Sequence, residues 1–388
     1  MKILMVLESE FPPDVRVENE MLALSEAGHE VHLVCSTRKN RPQIELSGKA
    51  VIHRKTITSF IYKSSVGCLK FPFYFNFWRS FIFKLCANEK FDAIHIHDLP
   101  LSKVGVEIKR RFNIPLIIDL HENWPALIKT APHTQTFLGK LLSSNKQWIE
   151  YERKTLPEAD KIITVIEEAG DRVIGLGIEP EKICMVSNTI NFENLSINSK
   201  KKEPDSFTVF YGGAINRHRG LQIVLKAIKI CFEKNIDVRL WIVGDGSFRR
   251  ELEELSETLN IKSHVCFFGH KPFHEMLEIL AESDVAIIPH LRTDNNDASS
   301  PNKLYQYMYL NKPIVSSDCT SLKRIINETH TGYIYKNDSF DDLAILLQKL
   351  YNDRNLLNDL EGNGRRAVLE KYNWNIDSKR LVELYSHF

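Results

Sequence analysis

Two doubly wound α/β domains, each built on a parallel sheet, are what this sequence predicts, and three observations predict them. The chain has 388 residues, more than one hydrophobic core ordinarily fills. Short runs rich in Val and Ile alternate with helical patterns, the signature of crossover units whose strands are buried on both faces. The alternation stops at one polar stretch and then begins again.

In order, the first-half runs are "KILMVLE", "HEVHLVC", "DAIHIHD", "PLIIDLHE", "DKIITVI" and "KICMVSN". The polar stretch "NFENLSINSKKKEPDS" spans 191–206, and its Asn, Ser, Lys and Pro residues cannot build a core. It is expected as the linker between a domain at 1–190 and a second at 207–371. The second half repeats the grammar with "FTVFYGG", "VRLWIVGDG", "HVCFFGH", "DVAIIPH", "KPIVSSD" and "GYIYKN". From Phe340 onward the period is helical, interrupted at Gly362 and Gly364, and 372–388 is expected as a helix packing back on the first domain.

Composition narrows the function. An apolar fraction of 43% with 26% charged residues is that of a globular protein, and 51 basic against 50 acidic side chains leave no global field for nucleic acid. Seven scattered cysteines without a C-x-x-C pair indicate neither a disulfide framework nor a zinc ribbon, and favour a reducing cytosol. The opening "MKILMVLESE" has too short an apolar run for a signal peptide, and no run of about eighteen apolar residues exists for a spanning helix. A cytoplasmic protein is expected.

Open parallel sheets bind ligands outside the carboxyl ends of their strands, and two such sheets in tandem place a cleft between facing domains. The loops after the strands are therefore the ones to read. In "YGGAINRHRGLQIVLKAI", a strand passes through glycines to a helix with Leu221, Val224, Leu225 and Ile228 on one face. Arg217, His218 and Arg219 bring cations to that helix start, which already favours anions. A phosphate site and a tight turn with solvated arginines both fit. No P-loop pattern occurs at that turn, while "VGDGSFRREL" has Arg249 where a third glycine would stand and "ESEFPPDVRVENE" has no glycine triplet, and these two gaps argue against a nicotinamide-dependent oxidoreductase. Asp14 is placed to cap the helix that follows Pro12 and Pro13.

On a helical wheel, "NKLYQYMYL" puts Leu304 and Met308 on a core face and Asn302 and Gln306 on a polar one, with Lys303 beside the polar face. A phosphate or hydroxylated ligand fits there, as does a solvated surface. His95 and His97 project to one side of their strand and with Asp98 mimic metal ligands, but no further His or Cys cluster completes them, so no metal is expected. Asp294 and Asp297 lack calcium-loop spacing and read as a solvated loop. Segment 69–86, "LKFPFYFNFWRSFIFKLC", has the aromatic and basic makeup of an interfacial membrane helix, and equally of a helix packed under the sheet.

These motifs, in this order, carry a resemblance. The series "GG-x-x-x-x-x-R-G-L", "VGDG", "FFGH", "SDVAIIP", "PNKLYQYMYLNKPIVSSD" and "TGYIY" resembles the carboxyl half of glycosyltransferase family 4, of GT-B fold. "FPPDVRVENEMLALSEAGHEVHLVC", "FDAIHIHDLPL", "IIDLHENWP" and "ICMVSNTIN" resemble its amino half. The resemblance spans nearly the whole chain. It implies two Rossmann-like domains facing across a cleft, and a retaining transfer of sugar from a nucleotide diphosphate sugar, such as a UDP- or GDP-sugar, without cofactor or metal.

The resemblance also assigns residues. Arg219 takes the place of the basic residue that neutralises the donor diphosphate, with Gly213, Arg217, Ser300, Asn302 and Lys303 around the same oxygens. Gly244, Gly269, His270 and Gln306 fall to the nucleoside. His121 matches the amino-domain histidine that positions the transferred sugar, which makes His121, Arg219 and Lys303 the expected catalytic set. Asp14, Arg16, His97, Asp98 and Glu122 fall to the acceptor, a saccharide or a polyprenyl-linked one at the inner face of a membrane, with surface-polysaccharide or glycoconjugate synthesis as the setting. A second family Arg is Ala214 here, and the family's paired glutamates fall at Ala298 and Gln306. Those departures also fit a catalytically silent partner subunit of another glycosyltransferase.

Overall fold

The computed structural model describes residues 1–131, 134, 136–192 and 207–388. It divides into two compact units, Met1–Ser187 with Asn375–Phe388, and Asn188–Trp374. The expected linker at 191–206 lies, from 193 onward, outside the described residues.

The first unit holds an eight-stranded sheet of order β3-β4-β2-β1-β5-β6-β7-β8. The strands are β1 (Lys2–Leu7), β2 (Glu30–Thr37), β3 (Ile44–Ser47), β4 (Ala50–Thr56), β5 (Ala93–His97), β6 (Leu116–Leu120), β7 (Lys161–Thr164) and β8 (Ile183–Met185). Only β3 runs antiparallel, on β4. β5 and β6 are buried at every position, which is why their sequences read as continuous apolar runs rather than alternating ones. Strand order reverses between β1 and β5, so the loops after those strands open at the switch point of the sheet.

Asp14 caps the helix Val15–Glu26, its carboxylate accepting from the Val17 amide at 3.1 Å. The aromatic helix Phe73–Asn88 turns Tyr74, Phe75, Trp78, Ile82 and Cys86 into the core beneath the sheet. Most of the aromatic density of 69–86 is therefore core. Phe71 and Phe73, at the start of that segment, remain exposed. The chain's last helix, Trp374–Tyr385, completes this unit by burying Leu381, Leu384 and Tyr385, and the Tyr385 hydroxyl lies 2.8 Å from His95 Nδ1.

The second unit is a six-stranded, wholly parallel sheet of order β11-β10-β9-β12-β13-β14. Its strands are β9 (Phe207–Gly212), β10 (Val238–Val243), β11 (Val265–Gly269), β12 (Val285–Ile288), β13 (Ile314–Ser317) and β14 (Gly332–Tyr335). Order reverses between β9 and β12. The helix Leu221–Glu233 presents Leu221, Val224, Leu225 and Ile228 to this core, each fully buried, alongside Leu343, Leu347 and Leu350 of the helix Phe340–Asn352. Among the described residues, no helix is long and apolar enough to cross a membrane.

Candidate active site

In the second unit the chemistry gathers at the carboxyl end of β9. Past the strands the ladder continues, with Gly213 N donating to Val243 O at 2.9 Å and Gly244 N to Gly269 O at 2.8 Å, so three strand ends form a floor of backbone. Gly244, at φ 139°, passes so close to Gly213 that a Cβ there would stand 2.0 Å from the Gly213 carbonyl oxygen. The turn Arg217–Arg219 then leads through Gly220, in the left-handed region, to the helix Leu221–Glu233. A side chain at Gly220 would strike the Pro289 carbonyl, 1.7 Å from the Cβ position, so glycine is what lets this turn lie against the end of β12.

Two cations meet above that floor. Lys303, in the first turn of the helix Asn302–Tyr309, is buried, and its Nζ lies 3.8 Å from the centre of the Tyr211 ring and beside Gly213. That ammonium has no hydrogen-bond partner among the described residues. Burial, followed by the charge of Arg219, holds it well below the ordinary lysine range. The Arg219 guanidinium reaches His290, with Nη1 3.0 Å from Nε2 and 3.4 Å from Nδ1. Burial and then the two cations keep His290 neutral, and the same causes push His218 down to about 4. No carboxylate among the described residues pairs with Lys303 or Arg219. Positive charge is thus concentrated and left uncompensated beside a backbone floor and an uncapped helix start, as a site for an anion requires.

In the first unit, charge gathers around β6. Arg16 donates from Nε and Nη2 to Asp119 at 3.0 and 2.8 Å, touches Glu20 at 3.0 Å, and donates from Nη1 to the Val186 carbonyl at 3.0 Å. His121 Nε2 lies 2.8 Å from Asp119 Oδ2, its Nδ1 3.5 Å from Asp98, and His97 Nδ1 sits 3.2 Å from His121 Nε2. Burial opposes a charge on His121, but Asp98 and Asp119 outweigh it and raise the imidazole to about 9. Glu8, just past β1, is pushed up to about 7 by burial and by Asp98, and accepts from the Tyr74 hydroxyl at 3.1 Å.

His95 and His97 do gain further ligand-type neighbours: their ring nitrogens and the carboxylates of Glu20 and Asp119 all lie within 4.8 Å of one another. The sequence had offered no completing group. The Arg16 guanidinium, however, already stands against both carboxylates, and burial pushes Glu20 up to about 8. The residues fit an internal ion-pair network.

The profile of Glycosyltransferase Family 4 matches residues 14–194, and that of Glycosyl transferases group 1 matches 192–367. The chain belongs to glycosyltransferase family 4. It is 23% identical over 314 residues to an uncharacterized glycosyltransferase of Methanocaldococcus jannaschii, covering 76% of this chain and 75% of that one. To the capsular polysaccharide biosynthesis glycosyltransferase CapM of Staphylococcus aureus it is 24% identical, over 59% of this chain and 62% of that one. Among solved structures, sucrose-phosphate synthase from Thermosynechococcus elongatus superposes with a TM-score of 0.79 at 17% identity, over 100% of this chain and 98% of that one. Anabaena HepE in complex with UDP and glucose gives 0.69 at 15% identity, over 100% of both chains. These likenesses make the fold GT-B.

Within this family 4 glycosyltransferase the residues singled out by sequence divide. Lys303 stands beside Gly213 and feels the charge of Arg219, and Gly244 and Gly269 sit on the same floor. Arg217 does not join them: it is exposed, pairs with Glu251 and lies over the Phe248 ring at 4.6 Å. Two residues apart in a tight turn, Arg217 and Arg219 leave on different sides. Ser300 is buried and accepts from the Tyr305 hydroxyl at 3.0 Å, while Asn302 and His270 are exposed and Gln306 is half-buried. Lys303 lies on the buried side of its helix rather than beside the polar face. Ala298 is buried in the turn Asn296–Ala298.

On the acceptor side, Arg16 and His97 are interior supports of Asp119 and His121, Asp14 is a helix cap, Asp98 touches His121, and Glu122 is exposed. Asp297 is no solvated loop residue, since it accepts from the Thr320 amide at 2.8 Å and pairs with Arg292 at 2.9 Å. Sequence reasoning passed over Glu8, Glu20, Asp119 and His290. Asp119 was visible as the polar residue inside "LIIDL", and Glu20 as the helical i+4 partner of Arg16.

Proposed function

We propose that this glycosyltransferase moves a sugar from a nucleotide diphosphate sugar, with retention of configuration, to a saccharide or lipid-linked acceptor in surface polysaccharide or glycoconjugate synthesis. The observation that carries the donor reading is the buried Lys303 with the half-buried Arg219 near it, neither paired with a carboxylate among the described residues. An anion with at least two charges relieves what burial makes costly there. In the reaction, charge develops on the departing diphosphate, and fixed donors aimed at its oxygens lower the barrier by about 3 kcal/mol or more each. In this reading the two side chains supply that charge without a metal. Retention and the acceptor class rest on family kinship and on relatives such as CapM.

Lys303 and Arg219 take the diphosphate, the floor at Gly213, Gly244 and Gly269 lies under the nucleotide, and Gln306 accepts from a ribose hydroxyl. On the first unit, His121 is held charged by Asp98 and Asp119 as a donor toward sugar hydroxyls. A catalytically silent subunit is the competing reading, favoured by the methyl group of Ala298 where the family has a carboxylate.

A thermal-shift panel of UDP, GDP, dTDP and CMP tests the donor site, beginning with UDP because HepE was solved with it. A ligand at one hundred times its dissociation constant stabilises by about 2.7 kcal/mol. The absence of any shift across the panel counts against a nucleotide site.

A further inference from the structure

Arg219 is a long side chain without an acidic partner among the described residues, yet a catalytic guanidinium has to be aimed. What holds it is His290, two residues past the end of β12. The imidazole is buried, with the residue 1% exposed, and Nη1 of Arg219 lies within 3.4 Å of both ring nitrogens. One nitrogen that close to both ring nitrogens stands over the face of the imidazole, where a guanidinium stacks on an aromatic ring.

The mount of this ring is rigid. The His290 carbonyl accepts from Ser317 Oγ at 2.6 Å and from Asn337 Nδ2 at 2.9 Å. The next residue, Leu291, donates its amide to the His218 carbonyl at 3.0 Å, tying the strand end to the turn that carries Arg219. Arg219 is thus fixed at both ends, through its backbone turn and through its guanidinium.

We propose that His290 is a positioning residue of the transfer reaction, an uncharged ring whose face aims Arg219 at the anion site beside Lys303 while leaving its positive charge uncancelled. A carboxylate in the same place would orient Arg219 equally well but would neutralise it. The neutral ring leaves the guanidinium charge whole for a diphosphate. The inference rests on the donor reading above.

Inorganic pyrophosphate, which carries no base or sugar, is the probe, with binding measured by titration calorimetry on the full chain. H290Q keeps a neutral planar group against the guanidinium and should bind within about threefold of wild type, whereas H290L, which leaves Arg219 unheld, should bind roughly tenfold or more weakly. H290E should hold Arg219, keep or raise the melting temperature, and still bind roughly tenfold or more weakly, because it cancels the charge. A merely structural histidine predicts the reverse ranking, with H290E no worse than H290Q. Wild-type affinity in H290L overturns the proposal while R219A has lost binding. If H290L fails to fold, equal affinity in H290E and H290Q overturns it instead. Wild-type affinity in R219A and K303A overturns the donor site itself and His290's role with it.

Discussion

The ammonium of Lys303 lies 3.8 Å from the centre of the Tyr211 ring, buried and without a hydrogen-bond partner among the described residues. A cation on an aromatic face recovers part of what it loses on leaving water, but not all. The remainder is a standing cost that a bound anion removes.

That cost has a sign in pH. Lys303 titrates well below 10.5 in the folded protein, so between its folded value and 10.5 the unfolded chain binds the extra proton and stability rises with pH. K303M should be more stable than wild type at neutral pH and should lose this rise, measured by urea denaturation across the alkaline range. On the alkaline side, binding of the nucleotide selected by the panel should take up a proton in wild type and not in K303M, read by calorimetry in buffers of different ionisation enthalpy.

His121 has the opposite sign. Raised from 6.5 to about 9, it contributes stability that is fully present below pH 6.5 and lost as pH rises through about 9. The shift corresponds to about 3 kcal/mol at its limit. H121N should remove this alkaline loss. D119N should cost about 3–5 kcal/mol at any pH near neutral, since it strips Arg16 of its two-pronged partner inside the first unit.

Gln306 shares the open face of its helix with Asn302, whereas Lys303 is buried. Q306E should therefore change affinity for the nucleotide and leave affinity for inorganic pyrophosphate within about twofold. Equal nucleotide binding in Q306E, Q306A and wild type would remove Gln306 from the nucleoside site.

Membrane contact, if the acceptor is lipid-borne, falls on different residues from those that composition suggested. Trp78 is fully buried, so changing it tests folding rather than binding. Exposed aromatics of the first unit include Phe60, Phe71 and Phe73, whose rings touch in series, and Phe137 on another helix, with Lys63, Lys70 and Lys140 close by in sequence. Wild type should sediment with anionic liposomes and the F60S/F73S/F137S variant should stay in the supernatant. Equal pelleting of the two retires this surface.

What was legible in the sequence was what periodicity encodes. Leu221, Val224, Leu225 and Ile228 share a face because 3.6 residues make a turn, and all four are buried. The antiparallel edge β3–β4 was not legible, because β3 is short and wholly exposed and gives no apolar run. Lys303 was misplaced for a related reason: a wheel gives angles on one helix, while burial depends on the Tyr211 ring that β9 supplies. The aromatic helix was ambiguous because Trp and Phe serve a core and an interface equally. Asp119 and His290 gain meaning only from neighbours brought by sheet order, Arg16 in one unit and Arg219 in the other.

The central claim is that Lys303 and Arg219 hold the departing diphosphate, and donor turnover tests it most directly. With the nucleotide sugar whose nucleotide raises the melting temperature, wild type should hydrolyse or transfer the sugar. R219A and K303A, folded as judged by their melting temperatures, should fall by roughly a hundredfold or more. Turnover that persists undiminished in both variants contradicts the account.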